Sequence, residues 1–443
     1  MNEQTPDSIE KIRQQFDSAP YPRIPLDNYP KNVKFLSIHN LITPYYLRYQ
    51  KVVKNEGKVI LDAGCGSGFK SLALAIANPG AQIIGIDLSE ASIKLAEQRL
   101  KYHGFQNTEF HVLGIEDLPK LGKEFDYINC DEVLYLIPDL VAGLRAMKSV
   151  LKPEGIIRTN LHSSIQRHSY FTAQQVFKLM GFMDENPGEL EIELVRETIE
   201  ALKDDVVLKV RTWKPELREN EEWYLMNYLF QGDTGYTIPE MFAALKSADL
   251  EFISMIRWPW WDVMDLFKEP EDLPVFLGMS LPGLSLEERL HLYELLNPVH
   301  RLLDFWCGHS NAAPSPVLVT DWLDEDWSGA EVHLHPNLKV PEVKQEMLDS
   351  ASQPQAMEIA KYLNFTKEPL LLMDSTVISG LIPLLEKSQS MSSLVKHWCQ
   401  VRPVNPVTLE PTDEMTAFET VKQMLITLEQ IGFVLLERSP QGS

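Results

Sequence analysis

Short, continuously apolar runs recur along the first 160 residues, and each is followed by a segment in which apolar residues repeat at helical spacing. Strands that are apolar at successive positions are buried on both faces, which is typical of parallel sheets covered by helices. The alternation therefore predicts a parallel, doubly wound α/β sheet. The predicted strands cover 58–62, 82–87, 108–113, 125–130 and 155–161.

The segments between these strands carry recognisable helix boundaries. Ser89 is a typical N-cap for a helix that reaches Tyr102, and further helices are predicted over 69–77 and 139–151. The Lys-Pro-Glu-Gly sequence at 152–155 predicts a turn before the fifth strand.

Beyond residue 162 the pattern indicates that the sheet is interrupted and then completed. Thr237 is a predicted cap for a helix that reaches Ser247, and a strand follows at 250–256. The apolar run 316–321 is predicted to be the closing antiparallel strand. The remaining segments, predicted to form a mainly helical lid over the ligand-binding edge, are 163–235 and 258–312.

The last hundred residues predict a separate small domain of helices with a terminal strand, an order that resembles a winged-helix-like module. Its helices are predicted at about 342–361, 376–388, 391–399 and 413–431, with a strand at 432–437. The predicted division is an N-terminal cap segment (1–55), a sheet domain with its lid (56–325) and an accessory domain (335–443).

Composition limits the classes of function. The net charge of -22, which comes from residues 161–443, argues against a nucleic-acid partner because phosphate binding needs clustered Lys and Arg. Four cysteines are too few for a disulfide framework, so a reduced, cytoplasmic chain is expected. The polar amino terminus predicts no signal peptide, and no run approaches the roughly 18 apolar residues of a membrane span.

A glycine-rich turn lies between the first strand and its helix. It reads Asp-Ala-Gly-Cys-Gly-Ser-Gly at 62–68, and glycines allow a backbone to approach a ligand closely. No Gly-Lys-Ser/Thr follows, which excludes a P-loop, and the third glycine comes one residue too early for a dinucleotide fingerprint. Asp87 ends the second strand, where a carboxylate can bind ribose hydroxyls. A purely structural glycine turn is the alternative.

Together with four further motifs, this turn resembles the class I S-adenosylmethionine-dependent methyltransferases, which have a Rossmann-like sheet. The motifs are LDAGCGSG at 61–68, GIDLS at 85–89, EDLP at 116–119, FDYINCDEVLYLIPD at 125–139 and LKPEG at 151–155. The resemblance implies S-adenosyl-L-methionine as the cofactor. It implies cofactor contacts from Asp62, Gly64, Cys65, Gly66, Gly68, Asp87, Leu88, Ile115, Glu116 and Cys130.

Two features qualify this resemblance. Many relatives have Asp-Ala before EDLP, where this chain has Gly114-Ile115, so the Ile115 backbone or Glu116 would have to recognise the adenine. The segment PYPR at 20–23 also looks like a motif of some of these enzymes. Tyr21 and Arg23 could close over the cofactor, or the prolines could simply stiffen the approach to the domain.

Methyl transfer mainly requires alignment of the acceptor, with a base where the acceptor is a hydroxyl, a thiol or a protonated amine. Candidate catalytic residues at the carboxyl ends of the strands are His162, Glu132 and Tyr135, with His168 as a further candidate. For each of them a packing role is the alternative. His162 is the first choice because it directly follows the fifth strand.

The lid segments are rich in aromatic and acidic residues. The aromatic side chains could line an acceptor pocket, or they could pack the interior of the lid; they are Trp213, Trp223, Tyr224, Tyr228, Trp258, Trp260, Trp261 and Trp306. A metal site made by Cys307, His309, His333 and His335 matches no zinc spacing, so no metal is expected.

The sequence therefore predicts a methyltransferase for a small or medium-sized organic acceptor held under an aromatic, acidic lid. One alternative is a protein or peptide methyltransferase whose C-terminal module recognises the partner, and another is a non-catalytic scaffold that only binds the cofactor. A homodimer is compatible with the sequence.

Overall fold

A computed structural model describes residues 13, 21–312, 316–353, 355–364, 366–367, 370–405 and 408–438. The first twenty residues apart from Arg13, and the last five of the predicted accessory domain, lie outside this description. Pro20 of the PYPR segment is therefore outside it as well. No helix in the described ranges has the length and apolarity required to cross a membrane.

The centre of the fold is a twisted sheet. Its strands are β1 (Val59–Ala63), β2 (Gln82–Asp87), β3 (Thr108–Val112), β4 (Phe125–Cys130), β5 (Leu151–Ser163), β6 (Gly235–Tyr236), β7 (Leu250–Met255) and β8 (Leu302–His309). Their order across the sheet is β3-β2-β1-β4-β5-β8-β7, and the short β6 pairs with the end of β5. Strands β1 to β5 are parallel, whereas β8 runs antiparallel to β5 and β7.

Helices cover both faces of this sheet and build the remaining layers. They are α1 (Val33–Ser37), α2 (Ile42–Tyr49), α3 (Phe69–Ala77), α4 (Glu90–Tyr102), α5 (Leu140–Ser149), α6 (His168–Leu179), α7 (Glu189–Ala201), α8 (Val207–Thr212), α9 (Glu221–Asn227), α10 (Ile238–Ser247), α11 (Val275–Ser280), α12 (Leu286–Leu296), α13 (Asp324–Ser328), α14 (Pro341–Ser352), α15 (Ser375–Leu381), α16 (Met391–Val401) and α17 (Glu414–Gln430).

The doubly wound sheet predicted from the sequence is confirmed, and local capping explains why its helices were recognisable. The Ser89 hydroxyl accepts a hydrogen bond from the Ser92 amide at 3.1 Å, as expected for an N-cap. The Thr237 hydroxyl and the Glu240 carboxylate form a reciprocal capping box at the start of α10.

Two predictions about the sheet are wrong. The predicted turn at 152–155 lies inside β5 as a bulge, because Phe125 pairs with Leu151 and Tyr127 pairs with Ile156. The closing antiparallel strand is β8, within the segment 258–312 predicted to be lid, and not 316–321, where Val319–Asp321 forms a 3-10 turn. The polar residue Asp304 interrupts the apolar pattern of β8, so the strand was not recognised from the sequence. In the fold, the Asp304 carboxylate accepts a hydrogen bond from Arg158 at 2.9 Å.

A second hydrophobic core gathers residues between Val319 and Leu436, including Trp322 and Trp327. The strands in this part are β9 (Glu331–Leu334), β10 (Met357–Glu358), β11 (Leu372–Met373), β12 (Gln389–Ser390) and β13 (Val434–Glu437). Three of them form a sheet with the order β12-β9-β13, in which both pairings are antiparallel. The winged-helix-like comparison and the predicted domain division stay predictions.

The helices of this second core differ from the prediction in length. Helix α14 ends at Ser352 because the chain then turns into β10, so the long helix predicted over 342–361 is wrong in its second half. Helix α15 ends at Leu381 and continues as a 3-10 turn, where Pro383 cannot supply the amide of a regular helix.

Candidate functional site

The glycine-rich turn lies at the carboxyl end of β1 and is hydrogen-bonded to β2. The amides of Gly64 and Cys65 donate to the Ile86 carbonyl at 2.8 and 2.9 Å. Gly64 and Gly66 have φ values of 80° and 48°, the left-handed region that favours glycine. A Cβ on Gly66 would lie 2.2 Å from the Tyr21 carbonyl oxygen, and a Cβ on Gly64 would lie 2.3 Å from Val133. The turn therefore requires glycine at both positions.

The N-terminal segment closes over this turn. The Ser67 amide donates to the Tyr21 carbonyl, and the Ser67 hydroxyl donates to the Pro22 carbonyl, both at 2.8 Å. The buried Arg99 guanidinium joins the two parts, because it donates to the carbonyls of Ser67, Ile24 and Pro25. Burial lowers the pKa of Arg99. The backbone of Tyr21 and Pro22 thus covers the glycine turn, and the closing of Tyr21 over a cofactor stays a prediction.

Arg23 behaves differently from Tyr21. Its guanidinium points to the lid, where it lies 3.9 Å from the Glu221 carboxylate at the start of α9. Burial, followed by the neighbouring charges of Glu132 and Glu222, raises the pKa of Tyr21 to about 12. Tyr21 therefore stays protonated at neutral pH and forms part of the pocket wall.

A cavity of about 350 Å³ lies between this segment and the turn. The predicted residues that line it are Gly64, Cys65, Gly66, Asp87, Leu88, Ile115, Glu116 and Glu132. Its apolar wall was not predicted, and it includes Phe35, Phe69, Val133, Leu136 and Ile137. The last three fall inside the FDYINCDEVLYLIPD motif, which was therefore the available signal.

Asp87 joins the glycine turn to the cavity. Its carboxylate accepts hydrogen bonds from the amides of Gly66, at 3.0 Å, and Ser89, at 2.9 Å. A carboxylate in this position, at the end of the second strand and against a glycine backbone, suits the hydroxyls of a ribose. The residues present therefore fit a nucleoside with a polar sugar.

The other three predicted cofactor residues lie outside the lining that the described residues form. Asp62 is buried, and its carboxylate accepts hydrogen bonds from Ser71 at 2.6 Å and Asn129 at 2.8 Å. Burial raises the pKa of Asp62 despite these hydrogen bonds. Gly68 packs against Ala96, and Cys130 is fully buried, with its pKa raised to about 12 by burial. These residues support the turn, and a direct cofactor contact by them stays a prediction.

A buried ionic network lies beside the cavity, where the residue after β4 meets the middle of β5. Asp131 contacts Lys70 and lies 3.6 Å from Arg158, which also binds Asp304. Burial opposes ionisation of Asp131, but the charges of Arg158 and Lys70 lower its pKa well below the usual range. Asn160 donates to Asp131 at 2.6 Å. The network fixes the loop that carries Glu132.

The three catalytic candidates occupy different positions. Glu132 lines the cavity, whereas His162 and Tyr135 lie outside its described lining and stack on each other with ring centroids 3.8 Å apart. His162 Nδ1 lies 2.5 Å from Asp233 Oδ1, and its Nε2 lies 2.9 Å from the Arg301 guanidinium. His168 is exposed at the start of α6. Asp233 and Arg301 were not singled out from the sequence.

The eight lid aromatics could line an acceptor pocket or pack the interior of the lid, and the described contacts favour packing for most of them. None of the eight is among the described residues that line the cavity. Four of them pack the interior of the lid, namely Trp213, Trp223, Tyr224 and Tyr228. Trp306 is buried in the sheet, and Trp261 stacks on His300 at 4.3 Å. Seven of the eight pack against hydrophobic cores, which bury their large apolar surfaces, whereas Trp260 is 38% exposed.

The three histidines considered for a metal site have other partners, and His309 Nε2 lies 3.1 Å from the Leu151 carbonyl oxygen. His335 binds the Thr43 hydroxyl at 2.9 Å, while His333 pairs with Glu437 at 2.9 Å. Among the residues that the structure describes, no group of three or more His, Cys, Asp or Glu side chains could hold a metal ion.

Comparison with known proteins points to one family. Residues 54–227 match the sequence profile of a family described as "Methyltransferase domain". An uncharacterised protein of Synechococcus sp. is 27% identical over 334 residues, which cover 72% of this chain and 76% of that protein. Ubiquinone biosynthesis O-methyltransferase of Haemophilus ducreyi is 33% identical over 132 residues, which cover 28% of this chain and 55% of that enzyme. This chain thus spans about half the length of that enzyme.

Among solved structures, PKMT2 from Rickettsia typhi in complex with AdoHcy has the same overall fold. The TM-score is 0.58 with 17% sequence identity, and the match covers 92% of this chain and 77% of that chain. The likeness extends across both hydrophobic cores.

Proposed function

We propose that this chain, whose residues 54–227 match a methyltransferase domain and whose motifs resemble those of the class I S-adenosylmethionine-dependent methyltransferases, methylates a small or medium-sized organic acceptor at the cavity beside the glycine turn. The observation that carries the proposal is the cavity itself, where the left-handed Gly64 and Gly66 lie next to the Asp87 carboxylate. The cofactor, S-adenosyl-L-methionine, supplies a methyl group that its sulfonium already activates.

Each part of the cavity has a distinct task in this proposal. Asp87 holds the ribose hydroxyls, and the backbone of Gly64 and Gly66 lies along the methionine part. Ile115 and Glu116 line the side proposed for the adenine, where the familiar Asp-Ala pair is absent. The Tyr21–Pro22 segment covers the turn and keeps water away from the reacting atoms.

The acceptor is proposed to approach beside Glu132. This carboxylate lines the cavity and can accept a hydrogen bond from a hydroxyl or an amine of the acceptor. The limited volume of the cavity, about 350 Å³, supports a small acceptor. So does the 33% sequence identity, over 132 residues, to ubiquinone biosynthesis O-methyltransferase of Haemophilus ducreyi.

A polypeptide acceptor is the second candidate. It is supported by a groove of about 650 Å³ that Arg23 and residues 215–222 line, next to the segment that covers the turn. This groove is open to solvent and contains four glutamates against two arginines, Arg23 and Arg218, so its net negative charge favours an extended basic chain.

The proposal is tested by incubating the protein with methyl-labelled S-adenosylmethionine and cell extract that has been separated into small molecules and polypeptides. We expect label in a small molecule. The matched control is Gly66→Val, whose side chain would clash with the Tyr21 carbonyl and block the turn. Label only in polypeptides would favour the second candidate. Cofactor binding without any transfer would indicate a scaffold and contradict both.

A further inference from the structure

Four side chains from four parts of the fold form a continuous chain of contacts that ends at the cavity. Asp233, in the loop before β6, binds His162 at the end of β5, with 2.5 Å between Oδ1 and Nδ1. The Arg301 guanidinium, just before β8, binds His162 Nε2 at 2.9 Å. Its second terminal nitrogen contacts the Glu132 carboxylate, which lines the cavity.

The partners of His162 determine which of its nitrogens carries the proton. A guanidinium can only donate hydrogen bonds, so Nε2 must accept the one from Arg301. Nδ1 therefore carries the hydrogen and donates it to Asp233. Burial lowers the pKa of His162, and the charge of Arg301 acts in the same direction, although Asp233 opposes both. His162 is thus neutral, and both of its nitrogens are engaged.

The surrounding charges balance only with a neutral histidine. Asp233 Oδ2 accepts hydrogen bonds from Arg167 at 2.8 Å and from Gln174 at 2.9 Å. The side chains of Asp233, His162 and Arg167 are 0%, 1% and 1% exposed. Asp233 therefore pairs with Arg167 and Glu132 pairs with Arg301, while uncharged Tyr135 and Phe230 face the imidazole ring. A proton on His162 would add an unpaired charge to this interior.

Glu132 is held at its backbone as well as at its carboxylate. Its φ of 63° lies in the left-handed region, which is uncommon for a residue with a side chain. The Glu132 amide donates to Asn160 Oδ1 at 2.8 Å. Two independent sets of contacts thus direct this carboxylate to the same place.

We propose that Asp233 and Arg301 are positioning residues, which hold the Glu132 carboxylate at the acceptor side of the cavity through a permanently neutral His162. The inference rests on the proposed function, since Glu132 is there the group that binds the acceptor. In this inference His162, the first candidate for a catalytic base, has a structural role instead, because it joins Asp233 to Arg301. It also connects the lid to the cavity, because Arg167 and Gln174 belong to the first part of the lid.

The link is tested directly by NMR of protein labelled with ¹⁵N-histidine, in which a His162→Gln variant identifies the resonance. We expect a neutral ring with the proton on Nδ1 and no titration between about pH 5 and 8. Arg301→Met removes both the donor and the charge, so the ring should titrate in this range or exchange its proton between the two nitrogens. Arg301→Lys should restore the neutral state. Arg145→Met, at an exposed arginine of α5, is the matched control.

The functional consequence is measured with the acceptor found in the extract experiment. Arg301→Met and Asp233→Asn should lower kcat/KM about 10- to 100-fold, because the acceptor is misaligned. Both should keep the affinity for S-adenosylhomocysteine within about threefold. Arg301→Lys should recover much of the loss.

A protonated His162 at pH 7, or the proton on Nε2, would overturn the inference. So would an Arg301→Met variant with unchanged spectrum and unchanged transfer. If the wild-type protein transfers no methyl group at all, the proposed function fails, while the NMR result still decides whether the link exists.

Discussion

At the scale of single residues, the site depends on a few positions where only one residue type fits. Gly64 and Gly66 combine left-handed backbone with close contacts, and Asp87 binds the Gly66 amide while it lines the cavity. These residues were recognisable because they are neighbours in the sequence motifs. Arg301 and Asp233 were not, because they lie 139 and 71 residues from His162 and no local pattern brings them together.

Asp87→Ala should weaken binding of S-adenosylmethionine by about 1–3 kcal/mol, because the ribose loses its carboxylate partner and the Gly66 amide is left unpaired. Isothermal titration calorimetry measures this loss. Glu90→Ala, at an acidic residue of α4 outside the described lining of the cavity, is the control and should bind normally. Equal affinities for the two variants would contradict the position proposed for the ribose.

At the scale of elements, polar contacts decide where the secondary structure packs. Strand β8 could not be recognised from its apolar pattern alone, because Asp304 interrupts that pattern. Asp304 is accommodated in the strand only because Arg158 on the neighbouring β5 donates a hydrogen bond to it, and the sequence does not show that the two strands are neighbours. Helix α2 gives a second example. Its Tyr46 hydroxyl donates to Glu429 at 2.9 Å and accepts from the Leu436 amide at 3.2 Å, so it joins the sheet domain to the second core. Sequence reasoning found the parallel strands β1 to β5 and the helices between them, but it found neither β8 nor these pairings between distant side chains.

Tyr46→Phe should lower the free energy of unfolding by about 1–3 kcal/mol, because it leaves the Glu429 carboxylate and the Leu436 amide without this buried partner. Chemical denaturation followed by tryptophan fluorescence measures the change. Tyr102→Phe removes a hydroxyl from an exposed tyrosine of α4 and should have little effect. A Tyr46→Phe protein as stable as the control would show that this junction contributes nothing to stability.

At the scale of the whole molecule, the interface between the two cores contains a buried neutral histidine. Burial lowers the pKa of His335 to about 4 from its ordinary value of 6.5. The unfolded chain therefore binds this proton at a higher pH than the folded chain does. The stability that the neutral His335 side chain contributes to the folded state is therefore complete above pH 6.5. It is lost as the pH falls from 6.5 through about 4, because the unfolded chain takes up the proton first.

We expect the unfolding free energy to fall by roughly 1 kcal/mol per pH unit through His335 as the pH decreases from 6.5 to about 4. His335→Gln should remove this part of the slope, whereas His168→Gln, at an exposed histidine, should keep it. Denaturation curves recorded across this pH range provide the comparison. If the unfolding free energies of the wild type and both variants changed with pH at the same rate, His335 would not be a buried neutral histidine.

The most direct test of the central claim is a crystal structure of the protein with S-adenosylhomocysteine. We predict the ribose hydroxyls within hydrogen-bond distance of Asp87 and the amino-acid part of the ligand along Gly64 and Gly66. Electron density for the ligand at another place in the fold, or a ribose that does not contact Asp87, would contradict the account.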